Sequence, residues 1–169
     1  PPGVGRRRAV SRVGTGIGVG HGEIHLLRGI FQSCDTFFYD LGYRMGMDTI
    51  HSFLGQFGFG QNFTLEVGYA RTGVLPSREW KQATRNEPWY PGDTINSSIG
   101  QGYMWATPLQ LATATAIAAN KGVVVKPRLL AAIEGEPFEP QDLSPVADVQ
   151  IDNPDHWRYI EESMTMVVH

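Results

Sequence analysis

A single cysteine, Cys34, is the whole thiol supply of this chain, so no disulfide closes within it and the redox compartment stays open. Charge is also sparse. Asp, Glu, Lys and Arg make up 18% of the 169 residues, and the net charge is -3. A nucleic-acid binder would want a strongly basic face, and this balance supplies none. No apolar run approaches the roughly 18 residues of a membrane span. No apolar stretch follows the N-terminal arginines, as a secretory signal would require. Residues 1–20 lack acidic and aromatic side chains altogether, and hold six glycines and four arginines. They have no helical period and do not read as a buried strand. They are expected to form an irregular lead of non-native character, joined to a domain that begins at His21. Gly-Lys-Ser/Thr is absent and Gly-x-Gly-x-x-Gly is met at no register, so a phosphate-cradling loop is excluded.

What is present is helical. The hydrophobic fraction, 41%, is enough for a core. Phe38, Leu41 and Met45 share one helical face that ends at Gly46. Met47, Ile50, Phe53, Leu54 and Phe57 form the stripe of a second helix, with Asp48 favourably placed in its first turn. Residues 61–103 are mostly loop, with one short helix expected after Ser77 as N-cap and a short strand over 93–99. The strongest helix signal starts at Thr107, with Pro108 in the first position, and closes at Gly122. Strands are expected at 123–125 and 129–133. A last amphipathic helix runs from 154 to 169, with Trp157, Ile160, Met164, Val167 and Val168 on its buried side. So few strands cannot make the sheet that such helices pack on. The pattern is that of the helical part of a larger α/β structure.

Three ordered stretches carry a family likeness. The first is Ser33-Cys34-Asp35 followed by Thr36-Phe37-Phe38-Tyr39. The second runs from Trp80-Lys81-Gln82 through Pro88-Trp89-Tyr90-Pro91-Gly92-Asp93-Thr94. The third is Gly100-Gln101-Gly102-Tyr103 with Thr107-Pro108-Leu109-Gln110 and Ala118-Ala119-Asn120-Lys121-Gly122. Together they resemble the class B penicillin-binding proteins, in the elongation-type penicillin-binding protein 2 branch. The likeness covers residues 21–169. It implies an α/β penicillin-binding/serine β-lactamase-like transpeptidase fold, represented here by its helical part and a few short strands. It also implies a peptidoglycan D,D-transpeptidase that passes an acyl group from D-Ala-D-Ala stem peptides through a serine ester, with β-lactams as covalent inhibitors. In that family a Ser-x-x-Lys supplies nucleophile and base, and a Lys-Ser/Thr-Gly strand lines the site. Ser33 matches the proton-relaying serine of the Ser-x-Asn motif. Asp35 matches its third position, where an oxygen accepts from the catalytic lysine.

The departures are as informative. No serine of this chain has a lysine three residues on, and neither Lys-Ser-Gly nor Lys-Thr-Gly occurs. The chain is therefore expected to be an internal piece of the domain, inactive by itself. His21 and Cys34 are both good zinc donors, 13 residues apart. The resemblance implies no required cofactor, with a structural zinc in the intact parent held partly by these two. Two donors do not make a tetrahedral site, and the residues ahead of His21 contain no Asp. The implied partners of the parent are peptidoglycan stem peptides, β-lactams, a membrane glycosyltransferase and other proteins of the elongation complex, at the periplasmic face of the inner membrane. The rival reading is a non-catalytic interaction module of that complex. Trp80, Trp89, Tyr90 and Trp105 are expected to pack a loop-rich region rather than to stack on sugar. Glu161 and Glu162 look like the solvated face of the last helix. No acid or nucleophile pairs recognisably with His51, His156 or His169.

Overall fold

Short helices dominate the computed structural model, which describes residues 21–62, 71–124, 126–127, 134–135 and 147–168, together with the backbone of 9–11. The expected strand at 129–133 lies outside the described residues. Two three-residue strands, β1 (Ala9–Ser11) and β2 (Gly22–Ile24), pair antiparallel with Val10 opposite Glu23. Among the described residues seven helices follow: α1 (Leu26–Phe31), α2 (Asp35–Met45), α3 (Met47–Gly55), α4 (Arg78–Arg85), α5 (Pro91–Ser97), α6 (Pro108–Ala119) and α7 (Asp155–Val168).

The sequence explains most of these boundaries. Gly46 adopts φ +77 between α2 and α3, a backbone state that suits glycine. Ser77 caps α4, its hydroxyl accepting from the Trp80 amide at 3.0 Å. Thr107 and Gln110 form a reciprocal capping box at the start of α6, with Pro108 in the first turn. One expectation fails here. Residues 93–99 were assigned a strand, yet Pro91–Ser97 is a helix. Pro91 at the first helical position and the Asp93 carboxylate on the Tyr90 amide, 2.8 Å away, start it. Residues 123 and 124, expected to open a strand, belong to no strand or helix.

The packing is helix on helix. α2 sits against α3 and α5, while α7 covers α1 and touches α6. Ile24, Met47, Ile50 and Ile117 are buried, and Cys34 joins them at 2% exposure. The buried side of α7 differs from the expected stripe. Trp157 and Ile160 are half-buried and Ser163 is fully buried, but Met164, Val167 and Val168 are exposed. Trp157 is held by the tight approach of Gly122, where φ is +92 and an added Cβ would stand 2.7 Å from the indole.

Candidate functional site

The Ser33–Asp35 turn is built from the end of α1. The amide of Ser33 donates to the Ile30 carbonyl at 3.0 Å, and that of Cys34 donates to the Gly29 carbonyl at 2.9 Å. Those two bonds, with Ser33 at φ +48, form a Schellman cap in which Ser33 holds the left-handed position usually given to glycine. A serine there costs about 1–2 kcal/mol of backbone preference. Strain of this kind collects at functional positions. The turn leaves Ser33 exposed and drives Cys34 inward.

Cys34 then starts α2. Its carbonyl accepts from the Phe37 and Phe38 amides at 3.0 and 3.3 Å. Asp35 is the first helical residue, and Cys34 is the cap. The Asp35 carboxylate is exposed in the first turn, where the helix dipole favours negative charge. The elbow between α1 and α2 is fixed by a glycine. A Cβ at Gly29 would lie 2.8 Å from the Phe37 ring, so only glycine lets the two helices close at this angle. Ser33 and Asp35 thus flank one buried residue at the surface end of a rigid junction.

His21 stands ahead of that junction in sequence. It is exposed at the approach to β2, whereas the Cys34 thiol is enclosed. Among the described residues no three His, Cys, Asp or Glu side chains converge as a cation site. Two donors, one enclosed and one exposed, fall short of the four that a tetrahedral zinc site takes.

A buried lysine forms a second polar cluster. Lys81, on α4, is 1% exposed. Its Nζ donates to Asp93 Oδ2 at 2.7 Å, lies 3.6 Å from a Glu87 carboxylate oxygen, and stands 4.6 and 5.3 Å from the ring centroids of Tyr90 and Tyr103. The hydrogen bond to Asp93 holds the Lys81 pKa above its ordinary value, opposed by burial. Lys81 is therefore an ammonium locked in place, and not a general base. Trp80 packs on Tyr103, with ring centroids 5.5 Å apart, as expected of a packing aromatic. Trp105 is 68% exposed, although its backbone pairs with Val74.

Gln110 is the second unassigned hub. It is 4% exposed, and its Nε2 lies 3.2, 3.0 and 2.8 Å from the carbonyls of Gly58, Gln61 and Thr72. Its Oε1 accepts from the Thr107 amide at 2.9 Å. The Thr-Pro-x-Gln run is thus a helix start whose amide also pins two loops.

The family model of the penicillin binding protein transpeptidase domain matches residues 12–169. The chain belongs to this transpeptidase family. The peptidoglycan D,D-transpeptidase MrdA of Haemophilus influenzae is 42% identical over 153 residues, covering 89% of this chain and 23% of that protein. Among solved structures, Pseudomonas aeruginosa PBP2 in complex with WCK 5153 is similar at a TM-score of 0.83 and 45% identity, over 89% of this chain and 32% of that one. Helicobacter pylori PBP2, in a complex with MreC, is similar at a TM-score of 0.73 and 27% identity, over 87% and 26%. The fold is that of the penicillin-binding transpeptidases. The chain spans about a quarter of the length of the curated relatives it matches. In this transpeptidase segment, Ser33, Cys34 and Asp35 share one turn, with Ser33 and Asp35 exposed and Cys34 enclosed.

Proposed function

We propose that this chain is the middle of the transpeptidase domain of an elongation-type peptidoglycan D,D-transpeptidase. The observation that carries the reading is the Ser33–Asp35 turn, where a serine holds a left-handed position that glycine would fill at lower cost. In the intact enzyme the Ser33 hydroxyl relays a proton towards the leaving amine, and the Asp35 carboxylate accepts from the catalytic lysine. Nucleophile and lysine come from a Ser-x-x-Lys that this chain does not contain. The substrates are D-Ala-D-Ala stem peptides, and β-lactams acylate the same serine. Partners are other proteins of the wall-elongation complex at the periplasmic face of the inner membrane. The complex of a Helicobacter relative with MreC supports that choice. The family match begins at residue 12, inside the lead expected over residues 1–20, and the gene sequence on either side tests where the domain starts.

A fluorescent penicillin tests the activity. Residues 1–169 alone remain unlabelled, and the longer protein carrying them is labelled at one serine outside this stretch. Ser33→Ala in the longer protein slows acylation by about 10²- to 10⁴-fold, the usual worth of a positioned proton carrier. A labelled serine within 1–169 would overturn the assignment. An unlabelled longer protein favours the rival, a binding module without chemistry.

A further inference from the structure

We propose that Lys81 and Asp93 are positioning residues that hold the Ser33–Asp35 turn in place through α5 and α2, an inference that rests on the functional reading of that turn. The argument begins with cost. A buried ammonium and carboxylate gain little net stability over apolar side chains of similar size, because both must be stripped of water. What such a pair supplies is direction. The 2.7 Å bond from Lys81 Nζ ends on Asp93 Oδ2, the same oxygen that accepts from the Tyr90 amide at 2.8 Å and starts α5. One carboxylate oxygen therefore ties α4 to the first turn of α5. Tyr90 and Tyr103 present their rings to the ammonium, and a Glu87 carboxylate oxygen lies 3.6 Å from it.

From α5 the contact passes to α2 through short side chains. Thr94 and Ser97 are buried on α5, with Trp89 Nε1 donating to Thr94 Oγ1 at 2.8 Å. Ser98 fills the notch left by Gly42 on α2, where no Cβ would fit. Ser98 Oγ donates to the Ile95 carbonyl at 2.6 Å, so that side chain cannot swing aside. A seam of Gly, Ser and Thr has no long side chain to absorb a shift, and close-packed interiors transmit displacement. α2 is one continuous helix whose first residue is Asp35 and whose cap is Cys34. A tilt of α5 thus moves Cys34 and Asp35, the α2 side of the functional turn, against the α1 cap that holds Ser33.

The experiment uses the longer protein that carries this chain, with Lys81→Met, Asp93→Asn and the double variant. The double variant leaves no buried charge unpaired, because the remaining Glu87 carboxylate is solvent-exposed, so it folds even if a single variant does not. The primary readout is amide hydrogen exchange at Cys34, Phe37 and Phe38, compared with the amides of α6. Exchange at the junction rises about 3- to 10-fold in the variants, within the range of coupling carried by packed networks, while α6 stays within about twofold. The second readout is penicillin acylation, in which the maximal rate falls by a similar factor and the half-saturating concentration holds. Lys81→Arg, which keeps a charged donor, recovers part of the rate. Unchanged junction exchange, or a uniform rise in every helix, would overturn the proposal. An unlabelled parent, or a Ser33→Ala variant that acylates normally, strikes the functional reading instead, and exchange still decides the positioning role.

Discussion

At Ser33 the backbone and the side chain want different things. The Schellman cap asks for glycine, and φ is +48. Ser33→Gly is therefore expected to raise unfolding stability by about 1 kcal/mol, read as a higher urea midpoint, while it removes the relay hydroxyl. A lower midpoint would mean that the serine side chain supports the turn. Gln110 is the opposite case, a polar group kept for structure. Its two N–H hydrogens serve three carbonyls, and its oxygen closes the α6 cap. Gln110→Ala leaves buried acceptors unpaired and is expected to cost about 2–4 kcal/mol, measured by denaturant unfolding. The sequence marked Thr107 as a cap and the Thr-Pro-Leu-Gln run as a family sign. It could not say what the Gln110 amide touches, because Gly58, Gln61 and Thr72 lie 38 to 52 positions away.

Between elements, the Lys81–Asp93 bond is the contact with a clear pH signature. The Lys81 pKa in the folded state is raised above its ordinary 10.5 by the hydrogen bond to Asp93. A group raised on folding contributes stability that is complete below the unfolded value and is lost as pH climbs through the folded one. The urea midpoint of the parent is therefore expected to fall above about pH 10.5 relative to the Lys81→Met/Asp93→Asn double variant, which lacks this step. Parallel curves would show that the pair does not couple to folding. Helix starts were largely legible at this scale, since Ser77, Thr107 and Pro108 announce them locally. The helix at Pro91–Ser97 was misread as a strand, because its starting carboxylate, Asp93, is recognised only once the Tyr90 amide is seen against it.

For the molecule as a whole, the described helices leave much apolar surface in water. Leu109 and Leu111 on α6, Val123 after it, and Met164, Met166, Val167 and Val168 on α7 are exposed, Val168 at 75%. Contiguous apolar patches beyond a few hundred Å² drive association. Residues 1–169 by themselves are expected to self-associate as concentration rises, which sedimentation velocity detects. A monodisperse monomer that melts cooperatively would refute this.

The sequence by itself determined the family, through three ordered motifs, together with most helix boundaries and the absence of Ser-x-x-Lys. Those are properties of neighbouring residues, and local spacing carries them. Tertiary structure alone decided that Ser33 sits strained at a cap, that Cys34 is enclosed, and that Lys81 is a locked ammonium. Each depends on groups brought together from distant positions or on a backbone angle set by packing. No periodicity encodes such a meeting, because burial and hydrogen-bond pairing are settled only when the helices close on one another.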